Sequence, residues 1–551
     1  MSSDSRPIVR HFRQILTWPL QIVAPQNATS STVWWEQLTA IEQGNPWQPL
    51  EDEFSVNAAS VQIRHYSEFV TFLPQVQRFL YGQGRSPAAR SGYGESPIRV
   101  FRRHDISRLR LHYDDAATVD FEIQHIDLYF FYDIDVMILA VEFYAGDLSI
   151  DRVQDTLFRF GRAFPTAWDE DGTATHCMPG VQWIGLDDTV LAESDFIDQQ
   201  RYLAYANAHR SASVGSHWQF LLEPMVQHFS NKPGALRYRQ LEYHRIPRMT
   251  YLSFDNPFAI ERDDFYRLAL NTRPDDGKGL EISEAALLEA EREFYYDRYW
   301  MPDRGDLKAS TRVLCNGHSL TMIGSARDRR YIDREQGLLG QFRHQYFLVM
   351  LIAHFHKAAL LLISDQQVVA VSRLHPDDPD SIRRFKRGVR RSLEIFLRFN
   401  HRYWFHELSN QVMARDLFRM LSQHLGNDQL FAEVREEILD MSQYLDSDDS
   451  RRQAESVLRL TVVTIFGMIG TIVTGFLGMN LFAFGELPAP ERIGIFLIVL
   501  VPSILLTLLT VQNSRVLSAM LDTIGNDRLN WRERIAMIVA GYRKRRARPG
   551  A

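Results

Sequence analysis

Two long runs of uncharged, mostly apolar residues stand near the C-terminal end of the chain. Thr461–Gly485 and Ile493–Ser514 hold 25 and 22 residues without a charge, and a charged segment of seven residues separates them. A helix that crosses a bilayer needs about 20 mostly apolar residues. Two buried core helices are the alternative, but core helices have no need to stay uncharged over a full bilayer thickness. The pattern therefore predicts two transmembrane helices.

Two other apolar runs differ from these. Gln345–Ser364 carries His354, His356 and Lys357 at its centre. A lysine at the middle of a span costs roughly 3 kcal/mol on insertion, so we expect a buried helix with packed histidines. The N-terminal run Ile15–Val23 is shorter and has no clear small-residue cleavage site after it. We interpret that run as folded structure rather than a signal peptide.

The polar bulk of the chain begins with mixed strand and helix patterns. A Gly/Ser/Arg-rich loop insertion is expected near residues 82–94, and a helix with one apolar face over Ser149–Gly161. Strand patterns occupy Ile98–Arg103, Thr118–Phe131, Ile134–Tyr144, Arg237–Phe254 and Arg312–Met322. Strands and helices mixed in this order predict an α/β or α+β domain over residues 1–333.

From about Arg334 the pattern becomes helical. Asp380–Leu425 is basic and aromatic, and Gly426-Asn427-Asp428 should end its helix. A new helix is expected from about Gln429 into the first apolar run. We therefore predict a helical stalk region over residues 334–456, a two-span membrane domain over 457–514 and a basic tail over 515–551.

Composition and charge narrow the class of protein. The chain has 551 residues, 45% of them hydrophobic and 24% charged, with a net charge of −6, which gives no support to a nucleic-acid partner. Two cysteines, Cys177 and Cys315, cannot build a disulfide framework, and we expect both to be reduced in a cytosolic domain. Arginines precede the first run, and the tail over residues 543–548 is basic. Both termini are therefore expected on the cytoplasmic side.

Catalytic patterns are incomplete. His406-Glu407 begins a zinc-protease-like pattern, but Asn410 stands where the second histidine should be. Cys315 and His318 have the spacing of metal ligands without a nearby second pair. We expect no enzyme activity and no cofactor.

The first apolar run has two different faces. On a helix that advances 100° per residue, small and hydroxylated residues gather on the face of Thr471, and bulky residues lie opposite. Gly467, Thr471 and Gly475 form a small-xxx-small series, which suits plain helix packing. The threonines favour a second interpretation, a hydroxyl stripe beside an axial path. Two spans cannot enclose a path, so several subunits would have to meet around an axis.

The loop between the spans carries a family resemblance. Gly478-Met479-Asn480 at the outer end of the penultimate span, a short acidic loop, a final span and a basic tail resemble the CorA superfamily of divalent-cation channels. The segment Leu439–Thr464 resembles that family's long stalk helix entering the membrane. The resemblance implies a homopentamer with a cytosolic mixed domain, a helical stalk and two C-terminal transmembrane helices, in the plasma (bacterial inner) membrane.

The resemblance also implies roles for residues. Gly478, Met479 and Asn480 would form the outer selectivity ring, with Glu486 as an external attractor for cations. Neutral oxygens suit a hydrated Mg²⁺ ion, which dehydrates reluctantly and should not be trapped. The residues implied to line the path inward are Gly475, Thr471, Met468, Thr464, Leu460 and Val457.

An acidic group lies on the helix that leads into the first span. We hypothesise that this group binds cytosolic Mg²⁺ weakly between subunits and favours a closed pore. A solvated helix face is the simpler alternative. The group consists of Asp440, Asp446, Asp448 and Asp449. The basic tail would contact anionic lipid heads or lie near the cytoplasmic mouth of the pore.

These features together predict a membrane channel or transporter for divalent cations, Mg²⁺ first, that passes hydrated ions along a fivefold axis. A transporter of the same fold for Zn²⁺, Co²⁺ or Ni²⁺ is one alternative. A non-conducting, membrane-anchored sensor or scaffold is the other.

Overall fold

The structure is a computed structural model. It describes residues 6–23, 34–41, 44–50, 63–82, 97–234, 236–242, 244–275, 277–375 and 378–478, and scattered positions between 488 and 505. The chain divides into two compact units, residues 1–438 and 439–551. The domain boundaries expected after residues 333 and 456 stay predictions. The loop insertion near residues 82–94 lies, apart from Gly82, outside the described residues.

One mixed sheet forms the body of the first unit. Its strands in the described residues are β1 (Ile8–Val23), β2 (Trp47–Pro49), β3 (Ile98–Arg103), β4 (Ile106–His112), β5 (Thr118–Phe131), β6 (Val136–Ser149), β7 (Gly180–Gly185), β8 (Val190–Glu193), β9 (Val226–Gln227), β10 (Arg237–Gln240), β11 (Arg248–Phe254), β12 (Tyr295–Trp300), β13 (Ser310–Cys315) and β14 (Ser319–Ser325). The main path is β12-β13-β14-β11-β1-β6-β5-β4-β7-β8, with β3 also on β5 and β10 also on β1.

The helices of the described residues follow in chain order. They are α1 (Trp34–Thr39), α2 (Ile63–Thr71), α3 (Pro74–Tyr81), α4 (Ile150–Arg159), α5 (Gln199–His209), α6 (Ser216–Leu222), α7 (Arg262–Leu270), α8 (Glu284–Phe294), α9 (Arg329–Ile332), α10 (Leu338–Gln341), α11 (Phe347–Ser372), α12 (Pro379–Arg402), α13 (Val412–Leu425) and α14 (Asn427–Gly478). A π-helical turn, Phe342–Tyr346, joins α10 to α11. A mixed domain followed by long helices is therefore confirmed.

The N-terminal apolar run is the centre of the sheet. β1 pairs with β6 on one side and with β10 and β11 on the other. Alternate residues of a strand point to opposite faces, and both faces of β1 are covered. Phe12 and Leu16 join a core that includes α4 and α7, whereas Ile15 joins a core that includes α11 and α13. A strand covered on both faces reads as a nearly continuous apolar run.

The third apolar run forms a buried helix, as predicted. Leu338–Ser372 is the one helix in the described part of the chain that is long and apolar enough to cross a membrane, and 78% of its most apolar window is buried within the protein. His354 and His356 are both buried in it. The imidazole Nε2 of His356 donates to the carbonyl of Tyr403 at 2.6 Å, and that of His354 lies 3.2 Å from the carbonyl of Gly317.

Three predicted elements differ from the structure, and the first is the strand expected over Arg237–Phe254, which is two strands, β10 and β11, separated by residues 241–247. The strand expected over Arg312–Met322 is a hairpin, because Gly317 turns the chain with φ at +86° between β13 and β14. The helical region expected over Asp380–Leu425 is two helices, α12 and α13, separated by residues 403–411. The break at Gly426 is confirmed. Its φ of +66° ends α13, and α14 starts at the next residue.

Candidate functional site

The predicted lining face lies on the last part of α14. Each described threonine in this part donates its hydroxyl hydrogen to a carbonyl one turn earlier. Thr464 Oγ1 donates to Leu460 at 2.8 Å and Thr471 Oγ1 to Gly467 at 2.9 Å. Thr461 and Thr474 do the same with Val457 and Gly470, each at 2.9 Å. A hydroxyl that donates in this way keeps its oxygen lone pairs for other partners.

The row on which Thr464 and Thr471 lie is exposed in the single chain. Val457, Leu460 and Met468 are 63%, 68% and 57% exposed, and Gly475 is exposed as well. On the bulky side, Val462 is 3% exposed and Ile465 is 47% exposed. Large apolar side chains exposed along a helix indicate a surface that meets lipid or other subunits. The structure thus brings the six predicted lining residues onto one continuous exposed helix.

The predicted ring lies at the edge of the described residues. Gly478 is the last residue of α14. Met479, Asn480 and Glu486 lie outside the described residues, as does most of the second predicted span. Their roles stay predictions.

The predicted acidic group does not share one face. Asp440 and Asp446 are exposed on α14, whereas the side chains of Asp448 and Asp449 lie outside the description. On a helix that advances 100° per residue, positions 446 and 449 lie about 120° and 180° around the axis from position 440. No group of three or more His, Cys, Asp or Glu side chains that could hold a metal ion occurs in the residues searched, which are the described ones. One helix alone therefore cannot bring all four carboxylates to one ion.

A buried ionic cluster is the feature that sequence reasoning missed. Glu142 on β6 is 1% exposed, and its Oε1 accepts hydrogen bonds from Arg13 on β1 and from Arg343 Nε at 2.7 Å. His125 Nε2 lies 3.2 Å from Glu142 Oε2 and 3.6 Å from Asp127 Oδ2. Arg343 belongs to the π-helical turn, so the cluster ties the sheet to the start of α11.

Electrostatics keep Glu142 ionised. Burial is the largest influence and raises the pKa of Glu142, but His125, Arg343 and Arg13 together lower it further, to about 2. At the two thiols burial outweighs the other influences and raises the pKa of Cys177 and of Cys315 to about 12. A protonated, buried thiol is a poor metal ligand.

One comparison with known proteins concerns the helical part of the chain. Residues 364–512 match a family model described as "CorA-like Mg2+ transporter protein". This range begins in α11 and runs through α12, α13 and α14 into the second apolar run. The resemblance to the CorA superfamily is therefore confirmed, and residues 364–512 are a CorA-like region.

A solved structure also resembles the chain, the complete structure of the CorA magnesium transporter from Methanocaldococcus jannaschii. The identity is 14%, the match covers 50% of this chain and 95% of that chain, and the TM-score is 0.19. Values this low carry no statement about a shared fold. A comparison with curated proteins finds no match.

Proposed function

We propose that the chain is a divalent-cation channel or transporter, with Mg²⁺ as its main substrate, built as a homopentamer around the α14 helices. Both predicted spans would cross the plasma (bacterial inner) membrane, with both termini in the cytoplasm. The observation that carries the proposal is the exposed row of acceptor oxygens, Thr464 and Thr471, within the CorA-like region.

The chemistry of Mg²⁺ suits this row. The ion dehydrates reluctantly and keeps several waters when it binds to proteins. Those waters present hydrogens outward, and each threonine oxygen has its own hydrogen engaged by the helix and its lone pairs available. Met468, between the two hydroxyl rings, and Leu460, one turn before Thr464, would form apolar constrictions that gate the path by dewetting. A hydrated ion could then move without being held at any one ring.

The outer entrance of the pore belongs to the same proposal. Asn480, with the backbone of Gly478 and with Met479, would form a neutral ring that first binds the hydrated ion. Glu486 would raise the local cation concentration outside it. The basic tail over residues 515–551 would contact anionic lipid heads on the cytoplasmic side.

A regulatory role is proposed for the four aspartates on α14. Because positions 440, 446 and 449 lie on different sides of one helix, a shared ion would have to be bound between neighbouring subunits. Replacing all four with asparagine should then weaken inhibition of flux by internal Mg²⁺. Unchanged inhibition would leave these residues as a solvated helix face.

Flux from liposomes tests the transport proposal. Liposomes that contain the purified protein should lose their enclosed Mg²⁺, and Asn480→Ala should abolish this flux. Thr471→Val keeps the shape of the side chain but removes the acceptor oxygen, so we expect flux to fall about tenfold, which corresponds to a barrier higher by about 1.4 kcal/mol. Thr471→Ser keeps the hydroxyl and is the matched control, with flux near that of the unchanged protein.

The same measurement separates the alternatives. Flux of Zn²⁺, Co²⁺ or Ni²⁺ without flux of Mg²⁺ would assign a different substrate to the same pore. No flux of any divalent ion from correctly assembled protein would contradict the transport proposal. That result would favour a membrane-anchored sensor or scaffold.

A further inference from the structure

Two helices of the first unit carry surface charges of opposite sign. On α12, five arginines lie within about 60° of Arg387 around the helix axis. We call these residues the arginine face: Arg383, Arg384, Arg387, Arg390 and Arg391. All five are exposed, and the buried residues Phe385, Val389 and Phe396 lie on the opposite side of α12. The sorting of arginine from apolar residues shows that this face points away from the core.

The first turns of α14 have the opposite charge. Glu433, Glu436 and Glu437 are all exposed and lie within about 60° of Glu433 around the axis, and we call them the glutamate face. Val434 and Ile438, which are buried, lie about 100° to 140° away. The glutamate face therefore stands at the side of α14, next to the seam by which this helix packs on the core.

Contacts within the chain engage part of both faces. Arg383 pairs with Asp380 at 2.7 Å, and Arg384 pairs with Asp378 at 3.5 Å, both within the start of α12. Glu433 accepts a hydrogen bond from Gln429 at 2.9 Å. In the described part of a single chain, no ion pair joins Arg387 or Arg391 to the three glutamates. Within the described part of one chain, Arg387 and Arg391 are thus not paired with the glutamate face.

The spacing of the charges is matched. Arg387 and Arg391 are one turn apart, about 6 Å along the axis, and so are Glu433 and Glu437. We propose that the arginine face of one copy docks on the glutamate face of the next copy. This inference rests on the homo-oligomer of the proposed function, and it adds which surfaces meet.

The placement of the arginines and the glutamates on separate faces also favours one kind of symmetry for the assembly of copies. A twofold contact that placed either face on itself would set arginine against arginine or glutamate against glutamate, which is repulsive. Two different, complementary faces give a head-to-tail contact, and head-to-tail contacts close into rings when the rotation between copies allows. The charge pattern of the first unit therefore favours a ring over a chain of twofold dimers.

The contact should orient the copies more than it stabilises them. An exposed ion pair contributes about 0–1 kcal/mol, whereas like charges placed opposite each other cost several kcal/mol. Interactions between exposed charges weaken as salt shortens the Debye length from about 10 Å at 0.1 M to about 3 Å at 1 M. We therefore expect the docking to be sensitive to salt and to charge reversal.

Cross-linking of the full-length protein tests the contact. Two differently tagged copies, one with Arg391→Cys and the other with Glu437→Cys, are co-assembled and treated with a short bismaleimide. The native Cys177 and Cys315 are buried and should not compete. Because each chain carries one introduced thiol, a product with both tags must join two copies. The matched control replaces Glu437→Cys with Arg435→Cys, which lies about 160° from Glu437 around α14.

We expect the yield of the two-tag product to be several-fold higher with Glu437→Cys than with Arg435→Cys. The yield with Glu437→Cys should fall at 1 M salt. A chain with both Arg391→Cys and Glu437→Cys should give covalent products larger than a dimer. Equal products at both positions, or products that stop at the dimer, would overturn the head-to-tail contact. Such a result in protein that is still oligomeric and conducts ions would leave the proposed function intact.

Charge reversal gives an independent measure. Arg387→Glu with Arg391→Glu should lower the assembled fraction of the full-length protein about tenfold, because the new carboxylates would face Glu433 and Glu437. Adding Glu433→Arg and Glu437→Arg should restore assembly. A failure of this rescue, in protein whose first unit unfolds at the unchanged urea concentration, would also overturn the contact.

Discussion

At the scale of single residues, the buried ionic cluster constrains how the first unit packs. Glu142 is in contact with two arginines and a histidine that come from three other segments of the chain. Removing one member of a buried ion pair leaves an uncompensated charge in a place that water cannot reach. The cluster therefore fixes how the sheet and the π-helical turn at Phe342–Tyr346 pack together.

Glu142→Gln should destabilise the first unit by about 3–5 kcal/mol, because Arg13 stays buried without its carboxylate. Tryptophan fluorescence during urea unfolding is the measurement. Asp120→Asn is the matched control, since Asp120 pairs with Arg110 at the surface and its loss should cost at most about 1 kcal/mol. Equal shifts for the two variants would contradict a special role for the buried cluster.

The same carboxylate predicts a pH dependence. The folded pKa of Glu142 is about 2, below the reference value of 4.5. Its stabilisation is therefore fully present above about pH 4.5 and is lost as the pH falls through about 2. Glu142→Gln should show a smaller loss of stability over that range than the unchanged protein.

The sequence predicted the threonine row of α14 but not the buried ionic cluster around Glu142. The threonine row of α14 follows from the 100° helical step between residues that are near in sequence. Glu142 lies 129 residues from Arg13 and 201 residues from Arg343, and no local pattern links them. Only the pairing of β1 with β6 and the packing of the π-helical turn bring the cluster together.

At the scale of elements, α14 is the longest helix in the described part of the chain. It runs for 52 residues without a break, which corresponds to about 78 Å. The hydrocarbon core of a bilayer is about 30 Å thick, so much of the helix must lie outside it in any membrane arrangement. Its helical pattern and the glycine stop before it were both readable from the sequence. The β13–β14 hairpin was missed, although Asn316-Gly317 is a known turn signal.

Ser447→Pro tests whether the continuity of α14 matters. Proline removes a helical hydrogen bond and clashes with the preceding turn, at a cost of about 3 kcal/mol or more. We expect ion flux to be lost while the first unit unfolds at the unchanged urea concentration. Ser447→Ala is the control, because Ser447 is exposed and alanine keeps the helix. Full flux in the proline variant would show that a straight helix is not required.

At the scale of the whole molecule, the two units carry different parts of the proposal. The second unit has the exposed row proposed to line a pore, and the first unit has the charged faces proposed to join the copies. The CorA-like region was recognisable in sequence because an uncharged span must follow simple rules of length and composition. The order of the strands in the sheet could not be predicted from the sequence, because it depends on pairings between residues far apart in the chain.

The proposed assembly predicts a single ring size. Two-dimensional class averages of the purified full-length protein should show fivefold symmetry, and the particle mass should be about five times the 64.0 kDa of the chain. Double charge reversal at Arg387 and Arg391 should reduce the fraction of such rings, whereas Arg435→Glu should not. Rings with another number of copies would contradict the pentamer but not a pore on the axis.

The threonine hydroxyls of α14 have a consequence for anions. The water around a cation turns its hydrogens outward, whereas the water around an anion turns its oxygens outward and needs a hydrogen-bond donor. Thr464 and Thr471 have already given their hydrogens to the carbonyls of their own helix. A pore lined by this row would thus bind hydrated chloride or phosphate poorly. This discrimination would come from neutral hydroxyl groups rather than from charged side chains in the row.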